Sequence, residues 1–590
     1  MRSFALVLFA FIGLCLLAAC GGGGGGPSFS ITTTQAQVAA TQATAGTIFG
    51  FVFQANSAAL LTWSASGLPS DGLTLNTFDG VVSGTPASKA SVTFTLTASD
   101  AQGHITPPAQ FTISVNNPSP PSITTTQAQL VAAPADTGAQ YNFAFAATGG
   151  LAPLNWMETG PLPSGLSLGS DGVLSGMPTV TGSFPITVMV QDSAGQSATP
   201  QNFTLQAIGF TPAGSMATPR SEHTATLLNT HKVLVAGGTD GTNTLASAEL
   251  YDPVGGGFGP TAGMSVARKQ HAATLLGSQK VLVTGGTDGT NASATAELYD
   301  ATSATFSSAG AMTGPRQSHQ ATILNDGRVL ITGGFDGAAV VASAELYDPV
   351  KGTFTLTGAM TSPRQSHTAT LLSNGKVLVA GGDDGSTILS SIELYDPVKG
   401  TFTAAGNMAS PRKAHSATVL NDGTVLLAGG LKLMNIFSQG GPFAFTLPDG
   451  SADIYDPVSG TFSRAGNMQF RRSSHSAIML SDGKVLLAGG TTYFLNELPC
   501  RPIPCSPTFR LAIFSTPTTE QFDPMNISFT QTAGTAAKRT AHTISLLNNG
   551  EVLAVGGADS QEMFQAVGKG PYKLTSSSST VLATAELENP

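Results

Sequence analysis

Charged side chains are scarce in this chain: Asp, Glu, Lys and Arg make up only 10% of its 590 residues. The formal net charge is −9 and no cluster of Lys or Arg occurs, so the sequence lacks the basic surface that a nucleic-acid partner requires. Cysteine occurs four times and tryptophan twice, whereas Gly (69) and Pro (35) are abundant. This composition predicts short strands joined by tight turns and argues against a helical protein. The length exceeds one ordinary core, and we expect several domains.

The first 20 residues predict a secretory signal. Arg2 precedes a short apolar run that begins at Phe4 and ends in small residues before Cys20. "LAAC", residues 17–20, resembles the lipobox of bacterial lipoproteins, which implies cleavage before Cys20 and a membrane partner reached through lipid on Cys20. An ordinary secreted protein with an incidental cysteine is the alternative. Residues 21–28 read as a Gly-rich linker, and Gly21 directly after the cysteine favours an outer-membrane or cell-surface location.

Two further cysteines lie close together near the C-terminus. Cys15 belongs to the signal and Cys20 to the lipobox, which leaves Cys500 and Cys505 in "PCRPIPC". Outside the cytoplasm, a local disulfide between these two residues is favoured over a metal site, which would need further Cys or His ligands nearby.

Residues 29–117 and 122–208 form a two-copy repeat. "ITTTQAQ" begins at Ile31 and again at Ile123, and each unit carries one tryptophan, Trp63 or Trp156. "GLPSDGLTLNTFDGVVSGTP" and "GPLPSGLSLGSDGVLSGMP" resemble the putative-Ig modules of bacterial surface proteins. The resemblance implies two Ig-like β-sandwiches that act as spacers, each with its tryptophan in the core.

Residues 209–590 hold a second repeat, with glycine pairs that begin at Gly237, Gly285, Gly333, Gly381, Gly429, Gly489 and Gly556. An apolar "KVLVAGG" strand and an "AELYDPVKGTF" hairpin recur at intervals near 50 residues. These units resemble the blades of kelch-repeat and galactose-oxidase propellers. The last copy lacks its fourth strand, and "GFTPAGSM" at 209–216 supplies one. The predicted fold is therefore all-β: two Ig-like β-sandwiches followed by a seven-bladed kelch-type β-propeller closed by its N-terminal strand.

An arginine and a histidine recur three residues apart in every blade. A catalytic site is a single asymmetric constellation, so a sevenfold pair indicates scaffold. An acid follows each Arg at the start of the third strand, and we expect an Arg–carboxylate ion pair within or between blades and histidines bonded to backbone. The pairs are Arg220/His223, Arg268/His271, Arg316/His319, Arg364/His367, Arg412/His415, Arg472/His475 and Arg539/His542; the acids are Glu249, Glu297, Glu345, Glu393, Asp453, Glu520 and Glu586.

Candidate ligand-binding residues fall on the face where each first strand begins and each second strand ends. In kelch-type binding propellers, positions between the Arg and the His reach the mouth of the central channel; here these include Gln317, Ser318, Gln365 and Ser366. Asp336 and Asp384 follow the glycine pairs, although a turn is the commoner role of Asp-Gly. Blades five to seven carry insertions in the same loop, with the aromatic candidates Phe443, Tyr493, Phe494, Phe564 and Tyr572. Packing of the insertions against each other is the alternative role of these rings.

These patterns favour a lipid-anchored surface protein whose propeller binds a glycan or protein ligand, with no catalytic residue, metal or cofactor expected. The galactose-oxidase resemblance keeps an oxidase or another secreted carbohydrate-active enzyme as an alternative. That family's copper site needs a Tyr cross-linked to a Cys, a second Tyr and two His, and none of these ligands carries over to a position here. A structural envelope protein is the third hypothesis.

Overall fold

The computed structural model describes residues 29–68, 72–87, 90–137, 140–438, 441–498, 508–567 and 573–588. Cys20, Cys500, Cys505 and Tyr572 lie outside these ranges. Strands dominate these ranges, and the two helices found within them are short. In the described ranges, no helix has the length and apolar character needed to cross a bilayer.

The first sandwich packs two sheets, of order β1-β7-β6-β3 and β2-β5-β4, around a core that contains Trp63. A Cβ atom at Gly80 would lie 2.6 Å from Cε2 of this ring, so the glycine lets the turn close over the indole. The elements are α1 (Gln35–Ala40), β1 (Ala43–Thr44), β2 (Phe49–Val52), β3 (Thr62–Ser66), β4 (Leu73–Asn76), β5 (Val81–Gly84), β6 (Ser91–Ser99) and β7 (Ala109–Asn116).

The second sandwich repeats this design, with sheets of order β12-β15-β16-β9 and β10-β14-β13, a small β11-β8 sheet, and Trp156 in its core. Both tryptophans are therefore core residues. The elements are β8 (Ser122–Ile123), α2 (Gln127–Val131), β9 (Ala135–Asp136), β10 (Tyr141–Ala144), β11 (Ala147–Thr148), β12 (Asn155–Thr159), β13 (Leu166–Leu168), β14 (Val173–Gly176), β15 (Gly182–Gln191) and β16 (Gln201–Ile208).

The remaining strands build the propeller. The first is β17 (Thr211–Ser215). Blade one contains β18 (Thr224–Leu227), β19 (Val233–Ala236), β20 (Ala248–Asp252) and β21 (Gly257–Pro260), and blade two contains β22 (Ala272–Leu275), β23 (Lys280–Thr284), β24 (Thr295–Asp300) and β25 (Thr305–Ala311). Blade three contains β26 (Gln320–Ile323), β27 (Val329–Thr332), β28 (Ala344–Asp348) and β29 (Thr353–Leu356), and blade four contains β30 (Thr368–Leu371), β31 (Val377–Ala380), β32 (Ser391–Asp396) and β33 (Thr401–Asn407).

Blades five to seven each contain an extra hairpin. Blade five contains β34 (Ser416–Val419) and β35 (Val425–Ala428), the hairpin β36 (Leu431–Ser438) and β37 (Gly441–Pro448), and then β38 (Ser451–Asp456) and β39 (Thr461–Asn467). Blade six contains β40 (Ser476–Met479) and β41 (Val485–Ala488), the hairpin β42 (Thr491–Leu498) and β43 (Thr508–Ser515), and then β44 (Thr519–Asp523) and β45 (Ser528–Thr532). Blade seven contains β46 (Thr543–Leu546) and β47 (Val552–Val555), the hairpin β48 (Ala558–Val567) and β49 (Lys573–Val581), and then β50 (Thr584–Glu588).

The described propeller strands form seven four-stranded blades whose first strands contact each other in a closed ring. Blade seven has the order β17-β50-β47-β46, so the N-terminal strand of the propeller is its outer strand. Thr211 pairs with Leu587 and Ser215 with Thr584. The predicted closure is therefore confirmed, and it leaves blade seven with the same number of strands as the others.

The second strands are apolar because neighbouring blades cover both of their faces. Every side chain of β31 in blade four is fully buried. The strand ends at Gly381 and Gly382, where a Cβ atom at Gly381 would overlap the carbonyl oxygen of Arg412 in the next blade. Gly382 N–H donates to that same carbonyl at 2.9 Å. The glycine pair thus permits a backbone contact between blades that a side chain would block.

The three insertions form one superstructure, which we call the crown: the hairpins β36–β37, β42–β43 and β48–β49. Strand β43 of the blade-six hairpin pairs antiparallel with β48 of the blade-seven hairpin, giving a four-stranded sheet of order β42-β43-β48-β49. The β36–β37 hairpin contacts this sheet through β37 and β42. Insertions of two adjacent blades are therefore joined by backbone hydrogen bonds rather than standing as separate loops.

Candidate functional site

Each repeated arginine forms an ion pair with the acid of its own blade. Arg364 Nη2 lies 2.8 Å from Glu393 Oε1, while its Nη1 donates to the carbonyls of Gly381 and Ser391. The other carboxylate oxygen of Glu393 accepts from Thr361 N–H, which follows the outer strand of blade three, so the pair also ties two blades together. The same ion pair occurs as Arg220–Glu249, Arg268–Glu297, Arg316–Glu345, Arg412–Asp453, Arg472–Glu520 and Arg539–Glu586.

The repeated histidines are buried beside these arginines. Burial, followed by the positive charge of Arg364, lowers the pKa of His367 to about 3, so the imidazole is neutral at physiological pH. Its Nε2 lies 2.9 Å from Thr332 Oγ1 of the preceding blade. The expected bonding of the histidine rings to backbone is thus wrong for His367: the described partner is a side-chain hydroxyl.

A second closed ring, made of backbone hydrogen bonds, lies just before the first strands of the blades, where the kelch resemblance places the mouth of the central channel. The residue that precedes each repeated His has a positive φ, as at Ser318 (53°) and Ser366 (51°). This conformation directs the N–H of Ser366 to the carbonyl of Ser318 in the blade before it, at 3.1 Å. Equivalent bonds join all seven blades through Glu222, Gln270, Ser318, Ser366, Ala414, Ser474 and Ala541. Ser318 and Ser366 therefore use their backbones for ring closure, and their side chains remain half-buried at the mouth.

The other candidates near the mouth make local bonds through side chain or backbone. The side chain of Gln365 donates from Nε2 to Asp383 at 3.0 Å, whereas the backbone of Gln317 forms a β-bridge with that of Phe335. Asp336 accepts from the N–H groups of residues 338 and 339, and Asp384 from those of 386 and 387. These backbone bonds lower the pKa values of both carboxyls. The two aspartates thus occupy the turn role described above as the alternative to ligand binding.

The crown divides its aromatic residues between an interior and an open face. Tyr493 and Phe564 pack with Leu447, Leu511 and neighbouring apolar side chains between the four-stranded sheet and the β36–β37 hairpin. The rings of Phe445 and Phe564 lie 5.7 Å apart, edge to face. Tyr493 and Phe564 therefore take the packing role, whereas the side chain of Phe443 and all of Tyr572 lie outside the described part of the chain.

Phe494 lies on the opposite side of the sheet, where its side chain is 59% exposed. The strand register places Phe494, Ala512 and Met563 side by side, with Phe514 and Gln561 in the next row. Together with Lys538, Asp559, Ser578 and Thr580 they line a groove of about 480 Å³, which we call the open face of the crown. Two aromatic rings beside amide, hydroxyl and charged groups make this surface suited to a ligand with both apolar and polar parts.

Sequence reasoning identified Phe494 but missed its partners on the open face. Gln561, Met563, Ser578 and Thr580 lie in insertions that were recognised only as long loops. Neither 558–567 nor 573–581 has the apolar–polar alternation that would have indicated strands. The pairing of β43 with β48 also leaves no mark in the sequence, because it joins insertions of different blades.

The opposite face of the disc carries grooves between its short turns. One of them, about 640 Å³, lies between blades three and four and includes Arg328 and Lys376. A related groove between blades five and six is lined by the equivalent turns. Arg328 is paired with Asp326 at 2.6 Å. Since the same spacing of turns generates both grooves, they follow from the blade repeat rather than from a specialised site.

The donors of a galactose-oxidase type of copper site are not brought together in the described residues. No group of three or more His, Cys, Asp or Glu side chains has the arrangement of metal ligands there. His231, which lies outside the sevenfold repeat, is bonded to Asn548 at a turn. The described donor set does not fit such a copper centre, and we derive no reaction step through one.

Comparison with known proteins agrees with these domains. Residues 30–116 and 112–207 match the Putative Ig domain model, and residues 259–430 match the KLHDC2/KLHL20/DRC7 Kelch-repeats domain. No curated protein matches the chain. A solved structure described as a novel fungal alcohol oxidase with catalytic diversity among the AA5 family, in complex with copper, is similar at 18% identity and a TM-score of 0.48, over 65% of this chain and 76% of the other.

Proposed function

We propose that this protein, a kelch-repeat propeller preceded by two Ig-like domains, is a surface-displayed binding protein that captures a glycan on the open face of its crown. The observation that carries the proposal is the exposed ring of Phe494, with Phe514, Gln561 and Ser578 in the adjoining row. Sugars present an apolar C–H face that packs on aromatic rings and hydroxyls that bond to amide and hydroxyl groups. Asp559 and Lys538 add one charge of each sign at the groove.

The rigidity of the crown supports this function. Its sheet is fixed by main-chain pairing between two insertions and by the apolar core on its other face. A preformed groove loses little conformational entropy when it binds, so weak polar contacts contribute to affinity. Two of the candidates at the channel mouth are less suited, because the side chain of Ser318 already donates to Gln270 and that of Gln365 to Asp383.

The proposal is tested by binding of the purified full chain to an array of neutral and acidic oligosaccharides, followed by calorimetry with the strongest binder. We expect Phe494→Ala to weaken that affinity by roughly tenfold or more, because burial of a Phe side chain contributes about 1.5 to 3 kcal/mol. Phe78→Ala is the matched control, since Phe78 is 83% exposed but lies in the first sandwich. Equal loss in both variants, or no glycan bound by the wild type, would overturn the proposal.

Catalytic turnover by the purified protein would favour the enzyme alternative over the binding proposal. Purified protein incubated with copper(II) and primary alcohols of sugars is assayed for hydrogen peroxide. Sustained peroxide production by the wild type, abolished by chelation, would establish an oxidase. The absence of both glycan binding and turnover would favour the structural envelope protein.

We propose further that lipid on Cys20 holds the protein on the outer membrane or cell surface, with the sandwiches as spacers. The support is the "LAAC" motif at the end of an apolar signal. Expression with labelled palmitate is expected to label the wild type and not Cys20→Ala. A wild type that is released unlabelled into the medium would contradict the anchor.

A further inference from the structure

Strand β49 is the free edge of the crown sheet. It pairs only with β48 among the described strands, and residues 573–580 are all exposed. A register shift near Thr575 limits the regular part to the residues that follow. An edge strand directs half of its N–H and C=O groups away from its partner, where only water or another strand satisfies them.

Lys573 and the register shift interrupt the start of β49, but its regular part lacks the features with which sheet proteins usually block association. The segment Ser576 to Thr580 reads "SSSST" and contains no Pro, Gly or charge. Six outer strands of the blades differ, because those of blades two, four, five and seven carry register shifts and those of blades one and three have four residues. The outer strand of blade six, β45, is regular over five residues but is partly buried, unlike β49. The other edge of the crown sheet, β42, contacts the β36–β37 hairpin.

We propose that β49 pairs antiparallel with β49 of a second copy of this chain, forming a two-fold symmetric dimer. A two-fold axis perpendicular to the sheet leaves the open faces of both copies on the same side. Directly facing residues of antiparallel strands point to the same face, so even-numbered residues face even-numbered ones and odd-numbered residues face odd-numbered ones. With the axis at Ser578, this residue faces Ser578 of the second copy. Ser577 of one copy then faces Ser579 of the other, and Ser576 faces Thr580. The segment is therefore complementary to itself: each facing pair is small and uncharged, and no like charges oppose each other.

The pairing joins two four-stranded sheets into one sheet of eight strands, with both open faces on the same side. At about 4.8 Å between strands, the two grooves lie roughly 20 Å apart. This consequence rests on the proposed glycan function: a polymeric glycan would engage both grooves and gain affinity from the second contact. The dimer itself does not depend on that function.

The interface is small. Pairing of five residues supplies a few backbone hydrogen bonds and buries less than the roughly 1,200 Å² typical of stable complexes. We therefore expect reversible association with a dissociation constant on the order of 10 to 100 µM. Anchoring in a membrane would raise the local concentration above that range.

Sedimentation velocity of the full chain, from about 5 to 500 µM and without glycan, tests the proposal. The wild type is expected to shift from monomer to dimer, and Ser578→Lys and Ser578→Asp each to remain monomeric, because each places like charges opposite each other at the axis. An equimolar mixture of the two variants is expected to dimerise, which a misfolded crown would not do. A wild type that stays monomeric throughout, or a mixture that fails to associate, would overturn the dimer. Neither result would bear on the proposed glycan function, which the oligosaccharide array tests separately.

Discussion

Thr332 Oγ1 lies 2.9 Å from Nε2 of His367, although the two residues belong to neighbouring blades. Thr332 ends the second strand of blade three and pairs across the sheet with Gln320, the first residue of the first strand. In blade four the hydroxyl comes from the other member of this pair, since Thr368 contacts His415 and faces Ala380. One residue of each such pair carries a hydroxyl in all seven blades: Thr224/Ala236, Ala272/Thr284, Gln320/Thr332, Thr368/Ala380, Ser416/Ala428, Ser476/Ala488 and Thr543/Val555.

The hydroxyl is expected to be exchangeable between the two strands. Thr332→Ala leaves a buried imidazole nitrogen without its partner and should lower the free energy of unfolding by about 1 to 3 kcal/mol. Adding Gln320→Thr to that variant moves the hydroxyl to the position used in blade four and should restore much of the loss. Urea unfolding followed by circular dichroism measures both. Thr353→Ala, at an exposed position of β29, is the control and should change little.

The blade count, the closing strand and the Arg–acid pairs could be predicted from the sequence, because each depends on motifs that recur in every blade. It did not reveal the hydroxyl partner of His367, because that hydroxyl alternates between two strands and no single position in the repeat is constant. The exchange is visible only once Gln320 and Thr332 are known to face each other.

The Arg364–Glu393 pair is expected to be strongly coupled. Arg364 is fully buried, so Glu393→Ala leaves its guanidinium without a counter-charge and should destabilise the propeller by about 3 to 5 kcal/mol. Arg364→Ala should cost a similar amount, and the double variant less than the sum of the two. Urea unfolding of the four proteins gives the coupling energy. The exposed pair Lys351–Asp348 serves as the control cycle and should show little coupling. Additive losses at Arg364 and Glu393 would contradict a direct interaction.

The ring at the channel mouth predicts that two substitutions at Ser366 affect stability differently. Its φ of 51° is a conformation that glycine adopts freely and that β-branched residues adopt only with strain. Ser366→Gly should therefore leave stability nearly unchanged, whereas Ser366→Val should lower it by about 1 to 3 kcal/mol. Thermal unfolding compares the two variants with Ser362→Val in the preceding loop. Equal tolerance of Gly and Val at position 366 would show that the positive φ is not required.

The buried histidines should make the propeller sensitive to acid. Burial holds the pKa of His223, His271, His319, His367 and His475 to about 3 in the folded state, whereas an unfolded histidine titrates near pH 6.5. The unfolded chain therefore binds more protons below pH 6.5, and stability should fall as the pH drops from about 6.5 towards 3. Urea midpoints measured between pH 7 and 5 test this. His367→Gln should reduce the slope by about one proton, and an unchanged slope would contradict the assignment.

The open face shows why site prediction from this sequence was incomplete. Phe494 was identified because aromatic residues stand out in a long insertion. Gln561 and Ser578 were not, since their place beside Phe514 depends on pairing between insertions of blades six and seven. Residues within one blade follow the repeat, but contacts between two unique insertions have no repeat from which to be inferred.

Glu588 lies at the junction between the second sandwich and the propeller. It should make stability depend on pH with a sign opposite to that of the buried histidines. Burial, with a contribution from Asp136 of the sandwich, raises the pKa of Glu588 to about 8. The folded state therefore holds a proton that the unfolded chain releases near its ordinary value, and this contribution to stability is full below about pH 4.5 and is lost as the pH rises towards 8. Thr137 of the same sandwich accepts from Gly534 N–H of blade six, so the carboxyl pair lies beside a domain contact.

We expect Glu588→Gln to remove this decline, because the amide carries no charge at any pH in the range. Calorimetric unfolding of the full chain at pH 5.5, 7 and 8.5 measures it, and the gain of the variant over the wild type should grow with pH. Asp136→Asn should act in the same direction but more weakly, since it removes the smaller contribution to the Glu588 shift together with a carboxyl whose own pKa burial raises to about 6. Glu551→Gln, at a turn of blade seven, is the control. A constant difference between Glu588→Gln and the wild type across the three pH values would show that the Glu588 carboxyl does not titrate in this range.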